Sequence, residues 1–521
     1  MPQLDDPQVI LPDLWASHAR FYPNKEAVVC GEVRRTWGDF NANMNRVANA
    51  LLRDGLQKGE KVAVVMGNSV EMLETTFGVV RAGGCVVPLS GMLTGEQLAG
   101  LITDSDSTRL FASAEFQERL DANAEGLTGL KDGGKIAFGF TASGWTRYED
   151  VLEGASDTQP PVTCATGDDF NIIYSSGTTG LPKGILQTHR ARTHWAFSNA
   201  VEMGFTSKSR ALTTTALYSN GTWLMVLPIL FAGGTLHVMP SFDPAGFLET
   251  VEAERITHSF MVPAQYIMVL AEASLDSRDL SSLETMLSAG SPLRRDTKRQ
   301  IIERLTPGLY ELYGFSEGFA SMLKPEQHAE KFASVGTPVL GFEVAILDDQ
   351  GKEMPRGEAG EIAGYGAGMM KAYHKREEQT EELIWRDPRG RTFIRGGDIG
   401  KLDEDGFLYI LDRKKDMIIS GGFNVFPADV EAIVGQHPAV RDVTVIGVPH
   451  RRWGESCMAL VIQNPDEEAD MEEIKAWANE RLSKTQRLVG VEFLEDFPRN
   501  ALGKVLKKVL RDPYWAEEEK G

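Results

Sequence analysis

Short apolar runs with strand character recur between helix-length segments through the first two thirds of the chain. This alternation limits the fold more than any other feature. Val62–Met66, Asn171–Tyr174, Thr257–Val262, Thr285–Ala289 and Leu309–Leu312 are such runs. Strands separated by segments long enough for a covering helix predict a large α/β unit with parallel sheet. From Phe342 the texture changes to short strands and turns, as in Glu343–Leu347, Asp348-Asp349-Gln350-Gly351 and Phe407–Leu411, which predicts a β-rich subdomain. A compact block follows the charged pentapeptide Asp412-Arg413-Lys414-Lys415-Asp416. It predicts a helix over Pro427–Gly435, strands over Val440–Val448 and Cys457–Gln463, a helix over Met471–Ser483 and a strand over Val491–Glu495. The expected division is an N-terminal domain over 1–412, β-rich from about 342 to 412, and a small α+β domain over 417–521.

Charge and composition exclude several functions. The 521 residues include 54 Lys+Arg and 74 Asp+Glu, a net charge of −20. That balance disfavours nucleic acid and anionic membrane surfaces as partners, but it leaves small polyanions open because a site can be locally positive. Between Lys484 and Arg511 basic residues outnumber acids, which predicts a basic surface there. The cysteines Cys30, Cys85, Cys164 and Cys457 are far apart and form no C-x-x-C pair, and no Cys/His cluster has metal-ligand spacing. The start, Met1-Pro2-Gln3-Leu4-Asp5-Asp6, lacks the basic and apolar regions of a signal peptide, so a cytoplasmic location is expected. The best membrane candidate, Ala211 to Phe242, has a continuous apolar part only from Trp223 to Ala232, interrupted by Pro228. It is too short to span about 30 Å of hydrocarbon and predicts a buried helix followed by a strand, not a transmembrane segment.

The stretch Tyr174-Ser175-Ser176-Gly177-Thr178-Thr179-Gly180-Leu181-Pro182-Lys183-Gly184 carries the strongest chemical signal. An apolar strand runs into hydroxyls and glycines, then a lysine. Small residues let successive backbone N–H groups face one concavity, hydroxyls add donors and the ammonium adds charge, a combination that suits a phosphate chain. A Ser/Gly-rich surface loop is the ordinary alternative, but the eleven-residue order is far more specific than that composition. The spacing is not that of a Walker A loop, because Gly180 precedes Lys183 by three residues and Gly184 follows it.

With Ser288-Ala289-Gly290, Tyr313-Gly314-Phe315-Ser316-Glu317, Gly397-Asp398, Asp412-Arg413, Ser420-Gly421-Gly422-Phe423-Asn424 and Pro498-Arg499-Asn500-Ala501-Leu502-Gly503-Lys504, the chain resembles the adenylate-forming superfamily. That superfamily contains acyl-CoA synthetases, luciferases and peptide-synthetase adenylation domains, and the matches keep its order from about residue 10 to 510. The resemblance implies that ATP is held by Ser175, Ser176, Gly177, Thr178, Thr179, Gly180, Lys183 and Gly290. It implies adenine stacking on Tyr313, ribose binding by Asp398, and a nucleotide contact from Arg413. Glu317 and Thr178 would hold Mg2+, Ser316 would place its hydroxyl near the reacting phosphate, and Lys504 would be the mobile catalytic lysine. Residues 413–416 would be a hinge centred on Lys415. Gly421 would line a pantetheine tunnel, and Trp453, after Arg451-Arg452, would contact coenzyme A. Taken alone, an aromatic at 313 reads as core, Asp398 as a turn residue, and 413–415 as a solvated linker.

The implied activity is an ATP-dependent carboxylic acid–CoA ligase. The segment Thr215-Ala216-Leu217-Tyr218-Ser219-Asn220 lacks the aspartate with which amino-acid-activating relatives hold an amino group. Gly314 stands where acetate-specific relatives have Trp, which implies an open pocket and a medium- or long-chain, aromatic or alicyclic acid. Tyr218, Asn220 and Trp223 are candidate pocket residues, Trp223 serving equally well as helix packing. Tyr218 replaces a histidine common in relatives. A homodimer is compatible with the resemblance. Besides a non-catalytic ATP-binding relative, two rival readings stand. One is an acyl-AMP ligase that loads a carrier protein. The other is an α/β hydrolase, because Gly314-Phe315-Ser316-Glu317-Gly318 also fits the nucleophile elbow G-x-S-x-G, with Asp398 and His437 or His450 in the required order. No HGGG-type loop lies upstream to support the hydrolase.

Overall fold

The computed structural model describes residues 7–175, 182–420, 423–465, 467, 469–499 and 505–518. The chain divides into two compact units. The first comprises Met1–Phe332, Pro338–Glu343 and Tyr365–Ile394; the second comprises Ala333–Thr337, Val344–Gly364 and Arg395–Gly521.

Two large sheets frame the first unit. Over its longer strands, one runs in the order Phe319–Leu323, Leu309–Phe315, Thr285–Ser288, His258–Met261, Arg210–Thr213, Thr235–Val238, Glu26–Cys30, Val33–Thr36. Its inner strands are parallel, and an antiparallel hairpin strand lies at each end of this run. The other runs Ala372–Tyr373, Lys183–Thr188, Asp169–Ser175, Cys85–Pro88, Lys61–Val65, Ser107–Ser113, Lys135–Phe138, Thr146–Arg147. Its strands are parallel from Asp169–Ser175 onward. All five strands expected in this region form, with ends shifted by a residue or so, except that Leu309–Phe315 runs on through Tyr313. Parallel strands buried on both faces need continuous apolar runs, which is why these were legible.

The helix Val70–Arg81 is buried almost throughout and packs on Trp37–Arg53. Gly78 permits that approach, since a Cβ there would sit 2.6 Å from the Val47 side chain. The apolar stretch that resembled a membrane segment is the helix Trp223–Ala232, turning at Gly233 (φ +72°) into the strand Thr235–Val238. No helix among the described residues is long and apolar enough to cross a membrane.

A buried ion pair fixes the strand Leu309–Phe315. Lys298, on the helix Arg295–Arg304, donates to Glu311 Oε2 at 2.6 Å and to the Phe332 carbonyl at 2.8 Å. Burial pushes the Glu311 carboxyl up, and the Lys298 ammonium opposes that shift.

The stretch from Phe342 to Arg413 holds strands and one short helix, Glu377–Glu381, and the boundary between the units passes through Phe342–Leu347, Gly360–Gly366 and Thr392–Leu402. The rest of the second unit centres on a sheet ordered Phe423–Val425, Ile418–Ser420, Gly454–Gln463, Val440–His450, with Leu488–Phe493 parallel to Gly454–Gln463. The helices Pro427–Val434, Met471–Asn479 and Lys507–Glu518 accompany it. Several expected ends moved, among them the start of Gly454–Gln463, expected at Cys457. The helix expected to Ser483 stops at Asn479, whose side chain instead bonds the backbone N–H and C=O of Leu488. That tie begins the last strand at Leu488, three residues before the expected Val491.

Lys298→Met would leave the Glu311 carboxyl buried and unpaired. We expect a loss of about 3–5 kcal/mol of stability, read as a lower urea midpoint, with much of it regained in Lys298→Met/Glu311→Leu.

Candidate active site

In the first unit the candidate residues gather at the carboxyl ends of neighbouring parallel strands, where open α/β sheets characteristically bind ligands. The segment holding Tyr218 and Asn220 follows Arg210–Thr213, Gly290 follows Thr285–Ser288, and Tyr313 lies in Leu309–Phe315, which leads to Ser316 and Glu317. Gly290 has φ +93°, a conformation that suits glycine.

The glycine-rich stretch connects two antiparallel strands. Asp169–Ser175 returns as Lys183–Thr188, with Ser175 and Lys183 register partners. Ser176, Gly177, Thr178, Thr179 and Gly180 lie outside the described residues. Gly184 admits the neighbouring strand closely, because a Cβ there would sit 2.9 Å from Ile172 and 3.2 Å from the Tyr174 ring.

Tyr373 joins this hairpin to the acidic turn. Its hydroxyl donates to Glu317 Oε1 at 2.5 Å, and the Lys183 ammonium lies 4.8 Å from the centroid of its ring. The strand Ala372–Tyr373 pairs with Lys183–Thr188, and Met370 N–H donates to the Glu317 carbonyl at 2.7 Å. Burial, followed by the charge and hydrogen bond of Glu317, raises the phenol pKa, so Tyr373 remains a donor. Ser316 is held from both sides: Asn220 Nδ2 donates to its Oγ at 3.0 Å and Gln187 Nε2 to its carbonyl at 2.9 Å. Neither Tyr373 nor Gln187 lies in a motif, and only the fold brings them to Glu317 and Ser316.

Two candidate pocket residues take on a different character. Trp223 is buried, donates to the Leu217 carbonyl at 2.8 Å, and is packed by Phe77, Phe170 and the Arg192 guanidinium. Its contacts are those of helix packing. Gly314 is exposed, yet a Cβ on it would meet the Phe319 carbonyl oxygen at 2.3 Å and Ala320 Cα at 3.2 Å. Close approach of the paired strand therefore demands glycine, whatever space lies in front of it. Tyr218 is half-buried on the segment leading to Asn220.

The same turn disposes of the hydrolase reading. A nucleophile elbow joins a strand to a helix. Here Leu309–Phe315 returns as the antiparallel strand Phe319–Leu323 through Ser316-Glu317-Gly318, so Ser316 is a hairpin residue.

In the second unit Asp398 is buried and accepts from Arg413 Nε at 2.7 Å, across the register pair Asp398–Arg413 of antiparallel strands. The two residues implied to contact ribose and nucleotide separately thus touch each other. Lys415 is exposed, and its carbonyl accepts from Arg511. Arg451, Arg452 and Trp453 form the exposed tip between Val440–His450 and Gly454–Gln463, with the Arg452 guanidinium 4.6 Å from the Trp453 ring. Ser420 is the register partner of Gly454, which brings the chain just before Gly421 beside that tip. Gly421 and Lys504 themselves lie outside the described residues. The expected basic surface is partly spent internally. Lys507 pairs with Glu431 at 2.8 Å and Arg499 with Asp442 at 2.7 Å.

Among the described residues, Glu26, His237 and Glu254 also bring possible metal-ligand atoms within 4.8 Å of one another. Arg210 pairs with both carboxylates, at 3.2 and 2.6 Å, and Arg34 pairs with them as well, which makes this an ion-pair cluster.

The match to the AMP-binding enzyme model spans residues 15–374, and that to the AMP-binding enzyme C-terminal domain spans 429–504. The chain belongs to the AMP-binding enzyme family. It is 34% identical over 498 residues to the feruloyl-CoA synthase of an Amycolatopsis species, covering 95% of this chain and 96% of the relative. It is 33% identical over 499 residues to the indoleacetate–CoA ligase of Aromatoleum aromaticum, at 95% and 96% coverage. Among solved structures, ATP-bound MatB from Rhodopseudomonas palustris matches with a TM-score of 0.86 and 29% identity, covering 96% of this chain and 99% of MatB. The adenylate-forming resemblance, the α/β fold class and the assignment to acid–thiol ligases of the acyl-CoA synthetase class therefore hold for this AMP-binding enzyme.

Gly314→Ala discriminates between the two reasons for glycine at that position. Strand contact predicts a lower urea midpoint, worth about 1–3 kcal/mol, with an unchanged m-value; a residue that merely opens a pocket would accept alanine without loss.

Proposed function

We propose that the protein couples a carboxylic acid to coenzyme A at the expense of ATP, releasing AMP and pyrophosphate. The observation that carries this reading is the joined Lys183–Tyr373–Glu317 arrangement beside Ser316, set at the end of the glycine-rich hairpin. A cation, an acid and hydroxyl donors grouped in this way suit a metal-bound triphosphate.

In the first half-reaction a carboxylate oxygen of the acid bonds to the α-phosphorus of ATP, and the bond to the departing pyrophosphate breaks. In the second, the thiol sulfur of coenzyme A bonds to the acyl carbon, the bond to AMP breaks, and the thiol proton passes to solvent. Neither step requires a protein nucleophile, so the residues position groups and stabilise developing charge. Lys183 and the hydroxyls of the glycine-rich stretch hold the phosphates. Tyr313 and Gly290 border the adenine, and Asp398, oriented by Arg413, accepts from the ribose hydroxyls. Glu317 fits a magnesium ligand, since Tyr373 bonds Oε1 and leaves Oε2 for the cation; Thr178 is the second candidate ligand. Bound Mg2+ supplies charge neutralisation on the phosphate oxygens. Lys504 stabilises the charge that builds on the carboxylate and α-phosphate during adenylation. The C-terminal domain from 417 swings about Lys415 between half-reactions, so that the two steps use different groups. Arg451, Arg452 and Trp453 offer two guanidiniums and an indole to the phosphates and adenine of coenzyme A, and Gly421 lines the approach of its thiol. Tyr218 and Asn220 border a pocket for a medium- or long-chain, aromatic or alicyclic acid. Free thiols at all four cysteines suit a reducing cytoplasm.

Incubation with ATP, Mg2+ and a panel of acids, with and without coenzyme A, tests the reading. Acyl-CoA, AMP and pyrophosphate in equal amounts are expected. Pyrophosphate release without any CoA thioester would overturn it in favour of a carrier-protein thiol.

Two substitutions probe the parts separately. Lys504→Ala should slow pyrophosphate release by about 10²–10³-fold while supplied acyl-AMP is still converted to thioester; equal loss of both halves would remove the assignment. Tyr373→Phe takes one donor from a charged acceptor and should lower kcat/KM for ATP by roughly tenfold, with a higher Mg2+ requirement in the same assay.

A further inference from the structure

The helix His189–Glu202 turns a polar face inward. Arg192 and Asn199 lie two turns apart on it with Ala196 between them, and all three are buried. Arg192, only 3% exposed, donates through Nε to Asn171 Oδ1 at 2.7 Å and lies 4.7 Å from the centroid of Trp223. No carboxylate among the described residues pairs with it. Burial alone draws its pKa down, to about 9, which leaves the guanidinium charged at neutral pH.

Arg192 is related to the candidate reaction site through side-chain hydrogen bonds at each end and a backbone register pair between them. Asn220 bonds Ser316 Oγ, Gln187 bonds the Ser316 carbonyl, Asn171 is the register partner of Gln187, and Arg192 bonds Asn171. Hydrogen-bonding capacity is left over along this path in an ordered way. Among the described residues, Arg192 Nη2 and Asn171 Nδ2 are buried donors without a partner at the far end, and Gln187 Oε1 and Asn220 Oδ1 are buried acceptors without a partner at the Ser316 end. Burying a charge without a counter-charge and leaving donors unmade are both costly, and a ligand that supplies the missing anion removes both costs together.

We propose that Arg192 and Asn171 form a subsite for a second carboxylate on the acid substrate, at the end remote from the carboxylate that is adenylated. This rests on the ligase reading and narrows it to acids with two anionic ends. Two adjacent donors, one of them charged, match the two oxygens of a carboxylate. The adenylated end stays with Ser316, so this path sets a required separation between the two groups.

Matched acids provide the test: hexanoate with adipate, octanoate with suberate, and benzoate with terephthalate. Binding of each to the full-length protein is measured by calorimetry, and CoA thioester formation is measured with ATP, Mg2+ and coenzyme A. The diacid of at least one pair should be favoured by about 10–100-fold in binding and in kcat/KM. Arg192→Met should abolish that preference and Arg192→Lys should keep part of it. Equal treatment of every pair by the wild-type protein, or a preference that survives Arg192→Met, would overturn the subsite and leave Arg192 as a core cation satisfied by water alone. Thioester formation from monoacids without any diacid preference sinks the subsite and spares the ligase reading. Selective diacid binding without thioester formation does the reverse. If Arg192→Met fails to fold by circular dichroism, the wild-type comparison decides alone.

Discussion

One phenolic proton, donated by Tyr373 to Glu317, organises the candidate site of the first unit. Because burial and the neighbouring carboxylate both oppose ionisation, Tyr373 serves as a fixed neutral donor. Its own strand is laid against the strand that begins at Lys183. The glycine-rich hairpin and the acidic turn, which lie far apart in sequence, are thereby tied through one residue. Backbone pairing sets where Tyr373 stands, and a single side-chain bond then sets the direction of the Glu317 carboxylate. Ser316, gripped at its hydroxyl by Asn220 and at its carbonyl by Gln187, completes a turn with little freedom to rotate.

Lys298 and Arg192 are both buried in the same unit, as are Arg81 and Arg109, and the contrast between the first two is informative. Lys298 faces Glu311 and a carbonyl, so its charge is compensated where it lies and its effect is structural: it anchors the start of the strand that ends at the acidic turn. Arg192 has an amide, an indole face and, among the described residues, no carboxylate. Similar burial thus gives one group a closed account of its interactions and the other an open one. A fold can hold an uncompensated charge only when enough of the surrounding core is well packed to bear it, and the enclosed helices around Trp223 supply that packing.

Much of this was legible in the sequence, for identifiable reasons. Strands such as Lys61–Val65 and Thr285–Ser288 are buried on both faces and so appear as unbroken apolar runs. Local order of residue types marked the glycine-rich hairpin, the Ser316–Glu317 turn and the exposed Arg451–Trp453 tip. Contacts made by register were not legible. Tyr373 and Gln187 sit in segments without a motif and gain their place from strand pairing alone. The pairing of Asp398 with Arg413, and the use of Lys507 and Arg499 inside the second unit, likewise depend on partners remote in the chain. Charge counts along a sequence cannot separate a solvated basic surface from cations already matched to acids. The helix end at Asn479 was missed because a single side chain there bonds the backbone of Leu488.

The close contact at Gly314 has an implication for how acid preference can change over time. A pocket wall built from an ordinary side chain can be remodelled one substitution at a time, each intermediate still folded. At Gly314 the first added carbon meets the main chain of the partner strand, so no side chain fits until that hairpin itself has moved. If Gly314 borders the proposed pocket, drift toward shorter acids through this position would require coordinated changes in two strands. Gradual divergence of specificity is then left to the other residues of the proposed pocket, Asn220 and Tyr218, where single steps remain passable.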